Sequence, residues 1–490
     1  MSWLPRSLAV VLGPSFWFVY PFLVVALACF WGLTTWATWT LSGGGGRRTL
    51  ILLPVSWVLV EWARAQGYFA FPWGTLGYVW LDTPAAQLAS STGLYGLSLL
   101  VTVPAALAAL PLVTPRTGGF GDGVLRLLLA PASALLLLAS AFMVGQERLP
   151  AQADGSPTAS EAVAADETDA VAGLPSAPAR AVAQPYAALL VQGNSDAFGR
   201  LTNARSELDT HVGLTTTAVA ARRSVGLGPF DLVVWPEGAV LGFEFEGPGG
   251  AELRAAISGS AAGAPVVAGG RAYRGDASFN SLFSLQDGEL VDRYDKHYLV
   301  PFGERWPFIE SVPGLYRAVF TVRGLPLLCG TTGCAAPAPL ASSMAQVGAY
   351  ICYESVFPQV QRRLVSQGAR LLVLSTNDAW FAVGAGARQH FDMGRLRAIE
   401  TRRWLLRAGN DGITAAVDPY GRVTAELQRG VAGTLAVGFD LRDELTGWVR
   451  YGFLTPWLLG GYVLLVGALL LRARPKERVT AAERLLKRSR

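Results

Sequence analysis

The stretch VGAYICYES, residues 347–355, is a continuous apolar run that ends at Cys352 and is followed at once by Tyr353 and Glu354. An apolar run without polar alternation is typical of a β-strand that is buried on both faces, as in the sheets of α/β domains. Five more such runs lie on either side of it: ALLVQGN at 188–194, DLVVWPEG at 231–238, PVVAGG at 265–270, LLVLSTNDAW at 371–380 and ITAAVDPYG at 413–421. Helical stretches lie between them, so residues 185–445 are predicted to form an α/β domain with both sheet faces covered.

Three residues of this domain form a plausible catalytic set at or near strand ends, where chemistry gathers in α/β folds. Glu237 follows an apolar run, Lys296 lies in the segment DRYDKHYLVPFGE, and Cys352 ends a strand. A carboxylate can take the thiol proton, the thiolate can attack a carbonyl carbon, and an ammonium can stabilise the resulting anion. Taken singly, each residue also has a structural explanation: Glu237 suits a turn or a helix N-cap, Lys296 suits a surface charge, and Cys352 suits a small core residue.

Lysine usage singles out Lys296. The chain has three lysines against 38 arginines, and the other two, Lys476 and Lys487, lie close to the C-terminus. Lys296 is therefore the only lysine before that segment. This favours a position that needs a compact ammonium rather than a planar guanidinium, although chance usage also accounts for it.

The chain as a whole is too apolar for a purely soluble protein. It is 51% hydrophobic and 16% charged, where soluble domains carry about 25% charged residues. A helix that crosses the hydrocarbon core needs about 20 mostly apolar residues. Such stretches predict four spans within an N-terminal transmembrane region, residues 1–146, and one near the C-terminus: about 16–41, 49–66, 93–113, 127–146 and 451–471. The second is the weakest prediction, because Glu61 and Arg64 lie in it.

The basic residues predict an orientation. Arg47 and Arg48 lie between the first two spans, Arg116 and Arg126 lie between the third and fourth, and the tail 472–490 has eight basic residues against two acidic ones. With five crossings, all three clusters fall on the same side, which the positive-inside rule identifies as the cytoplasm. The domain 185–445 is then extracytoplasmic. Because the net charge of +5 comes from this tail, a broad nucleic-acid-binding face is excluded.

Residues 147–184 have the composition of a disordered linker. They are rich in Ala, Pro, Ser, Asp and Glu and contain no aromatic residue. Such a segment cannot bury enough apolar surface to offset the entropy lost on ordering. We therefore expect it to separate the membrane region from the α/β domain.

Several motifs together resemble a known family. WPEG at 235–238, YDKHYLVPFGE at 294–304 and CYES at 352–355 are similar to the three signatures of the nitrilase, or carbon-nitrogen hydrolase, superfamily. Further stretches, such as FPWGTLGY at 71–78 and QHFDMGRLRAIETRRWLLRAGNDGITAAVDPYGRV at 389–423, resemble the bacterial apolipoprotein N-acyltransferases, a membrane-embedded branch of that superfamily. The resemblance implies an αββα sandwich joined to a multi-span α-helical membrane domain.

The resemblance also implies a reaction. Cys352 would attack an acyl ester of a phospholipid, typically phosphatidylethanolamine, and the thioester would pass the acyl chain to the N-terminal amine of a diacylated apolipoprotein. Glu237 would act as general base and acid, and Lys296, with a backbone N–H near Tyr353, would stabilise the oxyanion. Glu304, Tyr353 and Glu354 would be supporting residues. We expect no cofactor, metal or nucleic acid, and a monomer in the bacterial cytoplasmic (inner) membrane.

Two features depart from the family pattern. Compared with the family pattern, the sequence begins at a later position, so the first N-terminal helices of that family are expected to be absent here. The Lys-Trp pair that follows the QGN motif in the family corresponds to Arg200 and Leu201, so a substrate-contacting aromatic residue is missing from that position.

Two other functions stay open on sequence grounds. A membrane-tethered amidase would use the same residues with water as the acceptor. An acyltransferase needs an opening to the bilayer, and four aromatic residues suit such loops but could also be core residues: Trp306, Phe308, Trp380 and Phe381. A non-enzymatic scaffold or transporter is disfavoured, because all three catalytic positions carry suitable side chains.

Overall fold

The computed structural model describes residues 16–113, 120–150, 184–195, 203–305, 332–381 and 384–473, without positions 69, 276 and 302, and the isolated residues 5, 311, 314 and 318. Several predictions concern residues outside this set: the linker from 151 to 183, the tail beyond 473, Arg116, Arg200, Leu201, Trp306 and Phe308.

Four helices make up the N-terminal part of the chain: α1 (Phe16–Leu41), α2 (Gly46–Arg64), α3 (Ala89–Ala109) and α4 (Phe120–Glu147). Helix α3 is bent at Gly93, whose φ of 66° lies in the left-handed region. A Cβ atom at this position would lie 2.3 Å from Cε3 of Trp448. Both the backbone conformation and the close approach of the indole ring therefore require glycine.

The α/β domain contains two six-stranded sheets and four helices among its described residues. The helices are α5 (Ala204–Ser224), α6 (Ala251–Ser260), α7 (Pro358–Ser366) and α8 (Gly386–Thr401). The strands are β1 (Tyr186–Gln192), β2 (Leu232–Val234), β3 (Val266–Arg274), β4 (Ala277–Gln286), β5 (Glu289–Asp295), β6 (Leu340–Ala341), β7 (Gln346–Ile351), β8 (Leu371–Thr376), β9 (Leu405–Gly409), β10 (Thr414–Val417), β11 (Val423–Leu427) and β12 (Gly433–Phe439). The strand order is β12-β1-β2-β3-β4-β5 in one sheet and β11-β10-β9-β8-β7-β6 in the other.

Strand β1 shows why the strands read as continuous apolar runs. Ala188 and Leu190 pack in the core between the two sheets, which also contains Ile351 of β7. Leu189 and Val191 point to the opposite face and pack with helices α5 and α6. Alternate side chains of the strand thus enter two different apolar layers. The predicted fold class, an αββα sandwich joined to apolar membrane helices, is confirmed.

Two helices follow the sandwich, α9 (Gly447–Tyr451) and α10 (Thr455–Arg472). Among the described residues, four helical segments are long and apolar enough to cross a membrane: Leu23–Leu41, Pro84–Val113, Leu128–Glu147 and Gly447–Arg472. Helix α2, which overlaps the expected span at 49–66, is not among them. The count of five spans therefore stays a prediction.

Two polar side chains at the end of α2 bond to the loop that follows it. Glu61 and Arg64 are both buried. The Glu61 carboxylate accepts the N–H of Leu76 at 2.9 Å, and Arg64 donates to the carbonyl of Trp73 at 3.2 Å. These bonds fix the loop that carries Trp73 against the helix.

The membrane region packs directly on the sandwich. The N–H of Leu94 in α3 donates to the Glu400 carboxylate of α8 at 2.8 Å. The hydroxyl of Tyr353 donates to the carbonyl of Ala70, in the loop after α2, at 2.6 Å. The segment that carries Cys352 is thereby held against a loop of the membrane region.

Candidate active site

The three predicted catalytic residues lie just beyond the ends of three strands. Glu237 follows β2, Lys296 follows β5, and Cys352 follows β7. All three are buried, with relative exposures of 7%, 1% and 8%. The Nζ atom of Lys296 is 3.3 Å from Oε1 of Glu237, and the charges of both residues act on the Cys352 thiol. The fold thus brings together three residues from distant parts of the sequence.

Asn280 of β4 organises the carboxylates of this site. Its side-chain amide donates to Glu237 and to Glu304, each at 2.7 Å. Glu304 also lies 2.9 Å from the Lys296 ammonium and accepts the N–H of Val300. Sequence reasoning missed Asn280, although an asparagine inside a strand is a signal, because asparagine is depleted in strands.

Electrostatics keep the lysine charged and the thiol protonated. Burial by itself lowers the pKa of Lys296, but Glu237 and Glu304 outweigh it, so the pKa is raised and the ammonium persists. Burial raises the pKa of Cys352 to about 12, and Glu237 adds to this effect while Lys296 opposes it. A base must therefore accept the thiol proton when the sulfur attacks.

The backbone at Cys352 is strained. Its φ of 48° lies in the left-handed region, which non-glycine residues rarely adopt. Strand β7 passes here directly into a short helix, Cys352–Val356. A strand-to-helix turn of this kind exposes a nucleophile at a sheet edge in other enzymes.

Glu354 holds this turn in place. Its carboxylate accepts the N–H of Ile351 at 2.7 Å, the N–H of His297 at 2.8 Å and the hydroxyl of Tyr294 at 2.9 Å. Burial raises the pKa of Glu354 to about 7, against these hydrogen bonds and the charge of Lys296. Glu354 therefore ties the turn at Cys352 to the loop that carries Lys296.

Tyr353 joins the site to an aromatic cluster. Its ring stacks on Trp73 at a centroid distance of 5.8 Å, and Trp73 in turn lies 6.1 Å from the Phe381 ring. Phe381 and Trp380 are partly buried. The sequence left open whether Phe381 lies in a membrane-facing loop or in the core. In the structure its ring packs between Trp73 and His390.

A second polar cluster lies beside Cys352, and sequence reasoning assigned no role to it. It consists of Ser355, Asp378, His390 and Arg407, all buried. Asp378 and His390 lie in stretches that carried the family resemblance, but their isolated positions in the sequence gave no sign that they meet. Among the residues that the structure describes, no group of three His, Cys, Asp or Glu side chains is arranged to hold a metal ion.

Comparison with known proteins gives two family matches. Residues 187–444 match the carbon-nitrogen hydrolase family, and residues 1–107 match the apolipoprotein N-acyltransferase N-terminal domain. An apolipoprotein N-acyltransferase of Caulobacter vibrioides is 30% identical over 460 residues, covering 90% of this chain and 77% of the relative. One of Pseudomonas paraeruginosa is 31% identical over 433 residues, covering 86% and 74%. Among solved structures, a mutant amidase from Nesterenkonia sp. AN1 matches 55% of this chain and 96% of its own, with a TM-score of 0.41 and 17% identity.

Proposed function

The chain belongs to the apolipoprotein N-acyltransferase family, and from this premise we propose that it moves an acyl chain from a membrane phospholipid to the N-terminal amine of a diacylated lipoprotein. The family resemblance of the sequence motifs is confirmed by these matches. The observation that carries the proposal is the buried meeting of Glu237, Lys296 and Cys352 at strand ends, in a domain joined to apolar membrane helices.

In the first step the Cys352 sulfur attacks the carbonyl carbon of a phospholipid acyl ester. Glu237 accepts the thiol proton, and the Lys296 ammonium stabilises the oxyanion together with the N–H of Tyr353. When the carbon–oxygen bond breaks, Glu237 returns the proton to the departing oxygen. The products are a thioester on Cys352 and a lysophospholipid. The raised pKa of the thiol supports the need for this base.

In the second step the lipoprotein amine attacks the thioester carbonyl. Glu237 accepts a proton from the attacking nitrogen, the same donors stabilise the second oxyanion, and the carbon–sulfur bond breaks. The Cys352 sulfur then regains its proton, and the product is an amide. Both substrates are lipids, and removing an acyl chain from a bilayer costs about 0.8 kcal/mol per CH₂ group. A site joined to membrane helices avoids that cost.

We further propose phosphatidylethanolamine as the donor, a monomer as the active form, and the outer side of the bacterial inner membrane as the location of the site. The location rests on the positive-inside rule applied to Arg47, Arg48 and the basic tail. Fusions of a periplasm-dependent and a cytoplasm-dependent reporter after residue 490 test it. An active periplasmic reporter there would overturn the proposed orientation.

The full chain in phospholipid vesicles provides the decisive experiment. The vesicles contain phosphatidylethanolamine with isotope-labelled acyl chains, and a synthetic diacylated lipoprotein peptide is added. Mass spectrometry then follows the label on the enzyme and on the peptide. We expect labelled acyl-Cys352 and N-acylated peptide. Cys352→Ala should give neither, whereas Cys29→Ala, a change at an exposed position in α1, should give both.

Two results would contradict the proposal. Free fatty acid without N-acylated peptide would identify a hydrolase that uses water as the acceptor. N-acylated peptide formed at an undiminished rate by Cys352→Ala would remove the thioester mechanism.

A further inference from the structure

A buried chain of hydrogen bonds leads from Arg407 to the backbone of the nucleophile. Arg407 donates to one oxygen of Asp378 at 2.5 Å, and the other oxygen is 2.9 Å from Nδ1 of His390. On the far side of the ring, Nε2 is 3.0 Å from the carbonyl oxygen of Cys352 and 2.7 Å from the hydroxyl of Ser355. The side chains of Asp378, His390 and Arg407 have no measurable exposure. These contacts are therefore shielded from bulk water.

The partners of His390 limit the hydrogen bonds that each ring nitrogen can make. Nδ1 faces a carboxylate: burial by itself raises the pKa of Asp378, but Arg407 and His390 outweigh it and hold that pKa well below its usual range. Nε2 faces a peptide carbonyl, which can only accept a hydrogen bond. An unprotonated Nε2 would direct its lone pair at that oxygen. Nε2 must therefore carry a proton for this contact to be a hydrogen bond, while Nδ1 can donate to Asp378 or accept from Arg407, whose Nη2 lies 3.3 Å away.

The contact with the Cys352 carbonyl matters because of what shares its peptide group. The C=O of Cys352 and the N–H of Tyr353 belong to one planar amide. A hydrogen bond to the carbonyl polarises the amide and makes its N–H a stronger donor. The N–H of Tyr353 comes directly after the nucleophile Cys352 in the chain. The oxyanion forms next to this position during acyl transfer.

The same contact stabilises an unfavourable backbone. Cys352 has a φ of 48°, a conformation that is unfavourable for residues other than glycine. Glu354 holds the N–H of Ile351 on one side of this turn. His390 holds the Cys352 carbonyl on the other side.

We propose that His390 is a positioning residue for the acyl transfer: held by Asp378, it donates from Nε2 to the Cys352 carbonyl and so fixes and polarises the Cys352–Tyr353 peptide, whose Tyr353 N–H can then stabilise the oxyanion. This inference rests on the proposed function. It gives His390, Asp378 and Arg407 a task that neither the resemblance nor the catalytic triad assigns to them.

Two substitutions of His390 keep or remove the hydrogen bond to the Cys352 carbonyl. In His390→Gln, the side-chain amide can still reach the Cys352 carbonyl, as a neutral donor. In His390→Asn, the shorter amide can occupy the place of Nδ1 beside Asp378 but cannot reach that carbonyl. Acyl-Cys352 formation is measured in single turnovers in vesicles. We expect the rate to fall about 100-fold in His390→Asn and by less in His390→Gln, with the KM for phosphatidylethanolamine changed less than about twofold.

The thioester carbonyl supplies a readout that a merely structural role would not move. With a ¹³C-labelled acyl chain, isotope-edited infrared spectroscopy reports the stretching frequency of the carbonyl bound to Cys352. Weaker polarisation should move this band to higher frequency in His390→Asn and to an intermediate value in His390→Gln. The matched control is His211→Gln, because His211 is an equally buried histidine that bonds to Glu207 instead. Its band should stay at the wild-type frequency.

The outcomes distinguish this inference from the proposed function. If the wild-type chain forms no acyl-Cys352, the proposed function fails. If the wild type forms it and the His390 variants match its acylation rate, or lose rate without a shift of the carbonyl band, the inference alone is overturned. Should His390→Asn fail to fold, the band and rate of His390→Gln decide by the same criteria.

Discussion

Lys296 shows what a single residue contributes to this site. Its ammonium lies between Glu237 at 3.3 Å and Glu304 at 2.9 Å, with 1% of the side chain exposed. Three donors on one small nitrogen can serve two carboxylates and still face the reacting carbonyl. The single lysine of the first 475 residues thus occupies a buried place that suits a compact ammonium rather than a planar guanidinium.

Replacing Lys296 by arginine should therefore abolish most of the activity although the charge is kept. We expect the rate of acyl-Cys352 formation to fall at least about 100-fold, the size of effect seen when a donor to an oxyanion is lost. The control is the reverse exchange at an exposed ion pair, Arg205→Lys beside Asp209. Near-normal turnover of Lys296→Arg in the single-turnover assay would show that the lysine does not face the reacting group.

At the scale of elements, the loop after β2 depends on the strand next to it. Gly269 of β3 lies so close to this loop that a Cβ atom would be 2.3 Å from the carbonyl oxygen of Pro236 and 2.8 Å from Cα of Glu237. Both contacts are with backbone, which cannot swing away as the end of a flexible side chain can. The position of Glu237, the proposed general base, is thus set partly by a residue that has no side chain.

Gly269→Ala should therefore impair the enzyme by moving Glu237. Overpacking of this kind costs about 1–3 kcal/mol of stability, and we expect the acylation rate to fall more than the thermal midpoint would suggest. Gly213→Ala provides the comparison, because a Cβ atom there meets nothing within 4 Å in the exposed part of α5. Equal acylation rates in the two variants would argue against a role of Gly269 in placing the base.

At the scale of the whole molecule, the sandwich and the membrane region share buried polar contacts. Glu400 of α8 accepts the N–H of Leu94 at the bend of α3 and lies 3.1 Å from Arg397, and both charged side chains are fully buried. Removing one partner of such a pair leaves the other charge buried and uncompensated. The junction between the two regions should therefore be sensitive to this residue.

Glu400→Ala should lower the stability of the whole chain by about 3–5 kcal/mol, measured as the unfolding midpoint of the purified protein in detergent. Glu426→Ala is the matched change at the surface, because Glu426 pairs with Arg388 at 3.4 Å where both side chains are partly exposed. That pair should contribute less than about 1 kcal/mol. Similar midpoints for the two variants would contradict a stabilising role of the buried junction.

Much of the architecture could be predicted because its signals are local. Strands buried on both faces must be apolar along their whole length, and membrane-crossing helices must lack charge, so both leave continuous patterns in the chain. The triad could be predicted in part, because Glu237 and Cys352 stand at the ends of such runs and Lys296 stands out among arginines. Helix α2 was the weakest prediction for a related reason: its buried polar residues, Glu61 and Arg64, break the pattern, and they bond to the loop that follows.

The amino-acid sequence by itself determined an α/β domain, the apolar helices and the candidate catalytic side chains, because each depends on composition or on short-range spacing. Only the tertiary structure decided which residues surround them. Asn280 of β4 meets Glu237 and Glu304, which lie beyond the ends of β2 and β5, and His390 reaches the Cys352 carbonyl because α8 packs against the short helix Cys352–Val356. Contacts of this kind join residues far apart in the chain, and hydrogen-bond geometry at 3 Å depends on the positions of whole elements. The physical reason is that a local sequence pattern reflects whether a residue is buried, whereas the tertiary fold determines which group hydrogen-bonds to a buried polar side chain.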